Sequence, residues 1–305
     1  MNLIDFTNCK SDNEYFDGDD GAKKGIIYNN EKWILKFGKS TSSMENVNIS
    51  YTNSPICEYI GSKIYESIGL PVHTTSLGSY SGTNRLGVTK KYLVVACKNF
   101  KTDIDDRFYS FLEISNNFNP DYEENQNLDL DYTIDRIKNN GLVSNEEFIE
   151  RFWSMFIIDA LINNNDRHYG NFGLLENKGR YSLAPVYDNG SSFYNKIDKE
   201  KAKDMLINKE KFISSAYESR ISIFEKSSKK LNPYKVIESM KYDECNKMLL
   251  KMLPLIDLEK IYNIIDSVPT YFNDNEVFPN EVKLFYKETI KYGYKVLLKV
   301  YKNLQ

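Results

Sequence analysis

Short runs of alternating apolar and polar residues dominate the first hundred positions of the chain. Two of these runs, Lys24–Tyr28 and Lys32–Phe37, flank Asn29 and Asn30, and this pattern predicts a hairpin with a tight turn. The continuous apolar run Leu93–Cys97 predicts a strand that is buried on both faces. The N-terminal third is therefore predicted to be rich in β-structure.

Helical periodicity replaces this pattern in one early segment and in most of the later chain. Isoleucines recur at every fourth position of residues 56–68, and Gly69 predicts the end of that helix. Ser144 and Glu147 form a capping box, and apolar residues follow them at core spacing. Further helices are predicted at 198–227, 233–253, 257–267 and 280–303. The last of these carries a lysine stripe that we expect to face solvent, at positions 283, 287, 291, 295 and 299.

The composition is that of a globular protein, with 41% hydrophobic and 27% charged residues among 305. A formal net charge of -3 gives no global signal for nucleic-acid binding. The apolar runs are too short for a transmembrane segment. Four scattered cysteines and the lack of a visible signal peptide predict a reducing, cytoplasmic location, with signal-independent export left open.

An acidic segment separates the β-rich and helical regions. Residues 103–135 carry ten acidic residues and one basic residue, Arg107, which predicts an irregular insertion. It is interpreted as a solvated surface, with a docking surface for a basic substrate as the alternative. The expected organisation is an N-lobe at 1–100, this junction at 101–143, and a helical C-lobe at 144–305.

Three polar residues of the helical region have the spacing of a phosphoryl-transfer site. Asn171 follows Asp166 by five residues, and Asp188 follows it by twenty-two. In kinases an Asp of this kind positions and deprotonates the acceptor hydroxyl, while an Asn and a later Asp bind Mg²⁺. Asp159 interrupts the apolar face of the preceding helix, so it is expected to hydrogen-bond the loop that follows.

A lysine and a glutamate of the N-terminal region fit the same chemistry. Lys36 lies in an otherwise apolar strand, where it would point away from Leu35 and Phe37. Such a lysine can hold nucleotide phosphates when a carboxylate orients it, and Glu58 in the early helix is the candidate partner. The alternatives are a solubilising edge-strand lysine and a glutamate that favours the helix N-terminus.

Nucleotide contacts are predicted on either side of this pair. Backbone N–H groups of a turn can approach phosphate oxygens, although an ordinary acidic turn is the alternative. A strand end that joins two lobes would offer backbone groups to adenine, and His73 nearby is expected to be structural. The turn residues are Gly18, Gly21, Ala22, Lys23 and Lys24, and the strand-end residues are Ala96, Cys97 and Lys98.

The segments Asn165–Asn171 and Ala184–Asp188 resemble the HipA family of serine/threonine kinases, the toxin halves of bacterial toxin–antitoxin systems. In particular, the chain resembles the compact, stand-alone cell-translocating kinase A type. The resemblance implies an α+β, bilobal, protein-kinase-like fold with a β-rich N-lobe and a mainly helical C-lobe. It also implies ATP and Mg²⁺ as cofactors, and the following roles: Asp166 as catalytic base, Asn171 and Asp188 as metal ligands, Lys36 and Glu58 as the phosphate-binding pair, and His168 as a brace of the catalytic loop.

The function that these observations favour is an ATP-dependent protein kinase. It would transfer the γ-phosphoryl group in line to a serine or threonine of a protein substrate, and autophosphorylation is possible. A lipid or small-molecule kinase and a nucleotide-binding pseudokinase are the open alternatives. The resemblance also implies an antitoxin as a candidate partner, and direct nucleic-acid binding is not expected.

Overall fold

The computed structural model describes residues 3–12, 23–45, 47–83, 87–118, 129–217, 221–224 and 230–305. The chain divides into two compact units. Unit 1 comprises Met1–Phe100, Asn189–Lys209 and Leu258–Glu288, and unit 2 comprises Lys101–Asp188, Glu210–Asp257 and Thr289–Gln305.

Strands and helices of the described residues are numbered in chain order. The strands are β1 (Ile4–Asp5), β2 (Lys10–Asp12), β3 (Lys23–Tyr28), β4 (Glu31–Phe37), β5 (Thr75–Thr83), β6 (Thr89–Lys98), β7 (Arg107–Ser110), β8 (Gly173–Asn177), β9 (Arg180–Leu183), β10 (Ile221–Phe224), β11 (Lys230–Leu231), β12 (Tyr271–Phe272) and β13 (Asn275–Glu276). The helices are α1 (Ser54–Ser67), α2 (Phe111–Phe118), α3 (Leu130–Lys138), α4 (Asn145–Leu161), α5 (Lys199–Ile207), α6 (Lys209–Tyr217), α7 (Pro233–Glu238), α8 (Asp243–Met252), α9 (Leu258–Ser267) and α10 (Asn280–Leu304). A short 3₁₀ turn, Leu253–Leu255, follows α8.

Unit 1 is built around a sheet with the strand order β1-β5-β6-β4-β3-β2. The predicted hairpin is confirmed as β3 and β4, which pair antiparallel across a two-residue turn. Asn29 and Asn30 in that turn have φ values of 50° and 62°, a left-handed backbone that asparagine tolerates better than most residues. β1 pairs parallel with β5, and a Cβ on Gly78 would lie 2.3 Å from the backbone oxygen of Ile4. Glycine at this position therefore permits the close approach of the two strands.

The two faces of β4 have different environments. Trp33 and Leu35 are buried in an apolar cluster on one face of the sheet. Helix α1 packs against β4, β5 and β6, and it ends before Gly69, whose φ of 84° suits glycine. Alternation along the strand places Lys36 on the face opposite Leu35, as predicted from the sequence.

The lysine stripe of α10 differs from its prediction at one position. Lys283 is buried, and its ammonium donates to the backbone oxygen of Val268 at 2.6 Å, just after the end of α9. A cation is favourable there because the C-terminus of a helix carries partial negative charge. Burial lowers the pKa of Lys283 from its ordinary value. The prediction of a wholly solvated stripe was therefore wrong at this residue.

Unit 2 is centred on α4, whose residues from Phe152 to Leu161 are all buried. Helices α3, α7 and α8 pack against α4, and β7, β8 and β9 form a three-stranded sheet. The predicted cap of α4 is confirmed, because the Ser144 side chain accepts from the Glu147 backbone N–H at 3.3 Å. β8 and β9 pair antiparallel and form a hairpin after the segment Asn165–Asn171.

The acidic segment is more regular than its charge predicted. In its described part, β7 pairs with β8, and helices α2 and α3 follow. Phe111 and Ile134 bury their side chains in unit 2, and the Asp129 side chain caps α3 by accepting from Tyr132. Apolar residues at helical spacing therefore outweighed the negative charge, and the prediction of an irregular insertion was wrong for these residues.

The predicted helices at 198–227 and 233–253 were also wrong in extent. Asn208 separates α5 from α6, and β10 pairs antiparallel with β11. Met240, with φ of 51°, lies in the turn between α7 and α8. No helix in the described part of the chain combines the length and apolar character that a membrane span requires.

Candidate active site

The first group of candidate site residues lies in unit 1. The ammonium of Lys36 on β4 lies 3.1 Å from Oε2 of Glu58 on α1. The Glu58 side chain is 1% exposed, so the pair is shielded from solvent on the carboxylate side. The predicted ion pair is therefore present in the structure.

Glu58 has further partners that stabilise its charge. His73 Nε2 lies 2.8 Å from Oε1 of Glu58, and the backbone N–H of Asn189 also donates to this carboxylate. Burial alone would raise the pKa of Glu58, but Lys36, His73 and the Asn189 N–H together hold that pKa well below its ordinary value. The carboxylate is consequently ionised at neutral pH and available to orient Lys36.

The second group lies in unit 2 and is organised by a buried arginine. Arg167 Nε donates to Oδ2 of Asp159 at 2.7 Å, and its Nη2 donates to Oδ1 at 3.2 Å. Its Nη1 donates to the backbone oxygens of Asn171 at 3.0 Å and of Tyr187 at 2.5 Å. Because Asp159 also accepts from the Asn164 side chain at 3.0 Å, its predicted role in holding the loop is confirmed.

The loop itself fixes the orientation of Asn171. The Asn171 Nδ2 donates to the backbone oxygen of Asp166 at 3.0 Å. The opposite atom of the amide group, Oδ1, is thereby the one presented as an acceptor or metal ligand. His168 is exposed, and its Nδ1 accepts from the Gly170 N–H at 3.0 Å. This contact lies within the loop, and the bracing role of His168 stays a prediction.

The segment that carries Asp188 is joined to the same loop. The Tyr187 hydroxyl donates to the backbone oxygen of Gly170 at 2.6 Å. Asp188 has φ of 60°, a left-handed conformation that is uncommon for a non-glycine residue. Such conformations concentrate at functional sites, where the surrounding structure maintains them.

The predicted phosphate turn is described only at its end. Gly18, Gly21 and Ala22 lie outside the described residues, whereas Lys23 begins β3 in register with Lys36. Lys24 donates to the Tyr80 hydroxyl at 2.5 Å, with its ammonium 4.7 Å from the centre of that ring. The role of this turn in phosphate binding stays a prediction.

The predicted adenine contacts fall at the end of β6. Ala96 and Cys97 pair with residues of both β4 and β5, so their backbone groups belong to a central strand of the sheet. The Lys98 N–H donates to the backbone oxygen of Thr74 at 2.8 Å. The thiol of Cys97 lies within 4.8 Å of the facing ligand atoms of Glu58 and His73. An adenine role for these backbone groups stays a prediction.

Two residues at the candidate site were missed in the sequence. His73 was expected to be structural, but its contact with Glu58, fifteen residues earlier on another element, was not predicted. Arg167 was included in the segment Asn165–Asn171, but no role of its own was predicted for it. A cation directly after Asp166, eight residues beyond an aspartate on an apolar helix face, is the signal that would have identified the second pair.

Comparisons with known proteins agree with this geometry. The family model described as HipA-like C-terminal domain matches residues 20–250. The serine/threonine-protein kinase CtkA of Helicobacter pylori is 33% identical over 273 residues, covering 88% of this chain and 80% of that protein.

Solved structures extend the comparison to the fold. The crystal structure of a Helicobacter pylori proinflammatory kinase CtkA matches with a TM-score of 0.86 and 28% identity, over 99% of this chain and 98% of that one. HipA of Shewanella oneidensis, solved with HipB and operator DNA, matches with a TM-score of 0.57 and 12% identity, over 99% of this chain and 75% of that one. The second match bears on the fold alone. As predicted, the chain belongs to the HipA-like family and is a serine/threonine protein kinase with a mixed α+β, kinase-like fold.

Proposed function

We propose that the two groups of residues provide the catalytic machinery of an ATP- and Mg²⁺-dependent phosphoryl transfer to a serine or threonine hydroxyl. In this proposal Asp166 is the catalytic base, and Asn171 and Asp188 bind the metal. Lys36 binds phosphate oxygens, and Glu58 orients Lys36. The acceptor belongs to a protein, and the reaction takes place in the bacterial cytoplasm.

One observation carries the proposal. A single buried guanidinium, that of Arg167, binds the backbone at Asn171 and at Tyr187, the residue before Asp188. The loop and the segment of the later aspartate are therefore tied together by one charged group. Arg167 is 2% exposed and paired with Asp159, so this link is rigid and shielded from water.

The donor atoms fit a divalent cation that binds oxygen. Asp188 offers a carboxylate and Asn171 an amide oxygen, which are ligand types that Mg²⁺ prefers over nitrogen or sulfur. The orientation of the Asn171 amide supports this use, because its nitrogen already donates to Asp166. When bound, ATP supplies the phosphoryl group, and Mg²⁺ offsets the negative charge of its oxygens.

The remaining chemistry belongs to side chains of this chain. Asp166 orients the acceptor hydroxyl and takes its proton as the oxygen attacks. Lys36 holds phosphate oxygens with a positive charge that Glu58 keeps in place at 3.1 Å. Positioning and charge stabilisation provide most of the rate enhancement in this class of reaction, so residues that fix these groups matter as much as those that react.

The test compares three variants with the wild type. Purified protein is incubated with Mg²⁺ and γ-labelled ATP, and labelled residues are identified by mass spectrometry. Asp166→Asn and Asp188→Asn are each expected to reduce transfer by about 10²-fold or more, because base and metal-ligand chemistry are lost. Asp135→Asn, on the exposed side of α3, is the matched control and should retain activity.

The outcome that contradicts the proposal is equally specific. If Asp166→Asn and Asp188→Asn both fold and transfer phosphate like the control, these residues are not the base and the metal ligand. Label on serine or threonine in the wild type alone would identify the acceptor class as protein. An antitoxin is a further candidate partner, and co-expression with a candidate DNA-binding antitoxin would test it by inhibition of the same assay.

A further inference from the structure

A chain of buried polar side chains surrounds the carboxylate of Glu58 within unit 1. His73 Nε2 lies 2.8 Å from Glu58 Oε1 and 3.2 Å from the Ser62 hydroxyl. Ser62 in turn accepts from Asn189 Nδ2 at 3.1 Å. Each of these four side chains is at most 6% exposed. We call them the His73 network; its members are Glu58, Ser62, His73 and Asn189.

The network attaches α1 at two points of one face. Glu58 and Ser62 are four residues apart on α1, so their side chains lie one above the other. His73, which precedes β5, contacts both of them. A rotation of α1 that moves Glu58 away from Lys36 would break both contacts and leave buried polar groups without partners, which is costly.

Asn189, the residue after Asp188 in the chain, hydrogen-bonds both Glu58 and Ser62. Its backbone N–H donates to Glu58, and its side chain donates to Ser62. A Cβ on Gly190 would lie 3.3 Å from Glu58 Oε2, so a small residue leaves room for the carboxylate. One oxygen of Glu58 faces Lys36, and the other faces His73.

In many protein kinases the lysine–glutamate pair must be assembled before catalysis, and movement of the glutamate helix controls activity. We infer that His73 is a positioning residue that, with Ser62 and Asn189, holds Glu58 permanently against Lys36. The pair is then assembled without an activating event, and movement of α1 is not a control point of this kinase. This inference rests on the proposed function of Lys36 and Glu58.

The test uses two replacements of His73 that differ in one property. His73→Phe keeps a planar ring but has no hydrogen-bonding atom, whereas His73→Gln keeps a polar nitrogen near the position of Nε2. His73→Phe is expected to lower kcat/KM for ATP by about tenfold or more, and His73→Gln by no more than about threefold, because misplacement of a catalytic pair is costly. Ser62→Ala provides a milder variant if His73→Phe does not fold.

A second measurement does not depend on turnover. Hydrogen–deuterium exchange of α1 amides in the nucleotide-free protein should be on the order of tenfold faster in His73→Phe than in His73→Gln, because α1 loses both of its hydrogen bonds to His73. Lys283→Met is the matched control, since it removes another buried hydrogen-bond donor of unit 1 outside the network. It should leave α1 exchange and kcat/KM unchanged.

A double variant separates positioning from general destabilisation. If His73 acts through Glu58, adding His73→Phe to Glu58→Gln should change kcat/KM by less than about twofold. A full additional loss would overturn the inference. The inference would also be overturned if His73→Phe kept the kcat/KM of the wild type while Lys36→Met and Glu58→Gln lowered it, and in that case the proposed function would stand. Wild-type activity in Lys36→Met and Glu58→Gln would instead refute the proposed roles of that pair.

Discussion

The buried Arg167–Asp159 pair allows stability and catalysis to be tested separately. Arg167→Met removes a guanidinium that makes four hydrogen bonds, two to Asp159 and one each to the backbone oxygens of Asn171 and Tyr187. In this variant Asp159, which is 2% exposed, would lose both hydrogen bonds from the guanidinium and keep the Asn164 amide as a donor. Loss of one partner of a buried ion pair costs about 3–5 kcal/mol, so the free energy of unfolding should fall by about that amount.

A second change at Asp159 should restore part of this loss. Asp159→Asn replaces the carboxylate that has lost its guanidinium partner with a neutral amide, and it keeps an oxygen that can accept from Asn164. In the double variant we expect a recovery of about 2 kcal/mol or more, because no buried carboxylate is left without that guanidinium. The remaining deficit, about 1–3 kcal/mol, comes from the backbone oxygens of Asn171 and Tyr187 that lose a donor. Phosphoryl transfer should stay low, because the backbone oxygens of Asn171 and Tyr187 are no longer held together by one side chain.

Urea denaturation and the labelled-ATP assay measure the two effects on the same preparations. Arg151→Met is the matched control in unit 2; Arg151 is only partly buried and donates to the Ala184 backbone oxygen at 3.3 Å. A loss of about 1 kcal/mol or less is expected there. If Arg167→Met costs no more than this control, the argument from buried charge is wrong. If the double variant regains full activity, Arg167 does not hold the catalytic loop.

Three further predictions follow from features of the fold. Gly78→Ala should lower the midpoint of thermal unfolding markedly, because the new Cβ would lie 2.3 Å from the backbone oxygen of Ile4. Gly82→Ala is the control and should be tolerated, because the nearest atom to its new Cβ lies at 3.4 Å. Equal midpoints for the two variants would contradict this prediction. Folding lowers the pKa of Glu58 from 4.5, so its contribution to the free energy of unfolding is greatest above that pH and falls as the pH drops below it. Glu58→Gln should therefore flatten the dependence of the urea midpoint on pH between about pH 5 and 3. Burial raises the pKa values of Cys57 and Cys245 to about 12, so a thiol reagent should modify the partly exposed Cys9 first and these two cysteines only on unfolding. Peptide mass mapping would locate the label, and early labelling of Cys57 or Cys245 would contradict their burial.

The parts of the fold that the sequence predicted are those whose signals are local. The asparagine turn between β3 and β4, the capping box of α4 and the glycine that ends α1 each depend on a few adjacent residues. The spacing of Asp166, Asn171 and Asp188 was likewise readable because it lies within one short stretch. Such features form in the same way whatever surrounds them, so their patterns are informative.

The features that the sequence did not reveal depend on contacts between distant segments. The prediction for the acidic segment followed its charge and missed the apolar residues through which α3 is buried. The residues adjacent to Lys283 in the sequence do not distinguish it from the exposed lysines of α10. His73 acquires its role only when β5 and α1 are brought together. The division into two units also interleaves the chain, which a reading from one end to the other does not reveal. Tertiary packing decides these features.

The interleaved connectivity has a consequence for synthesis of the protein on the ribosome. Unit 1 is completed only by Asn189–Lys209 and Leu258–Glu288, and Asn189 supplies an N–H to the carboxylate of Glu58. Helix α10 then begins in unit 1 and ends in unit 2. A nascent chain that has emerged as far as Phe100 therefore has its first sheet strands but lacks the residues that close that unit. Native structure, and with it kinase activity, should appear late in translation and nearly all at once, so truncated products are expected to be inactive and recognised by proteases.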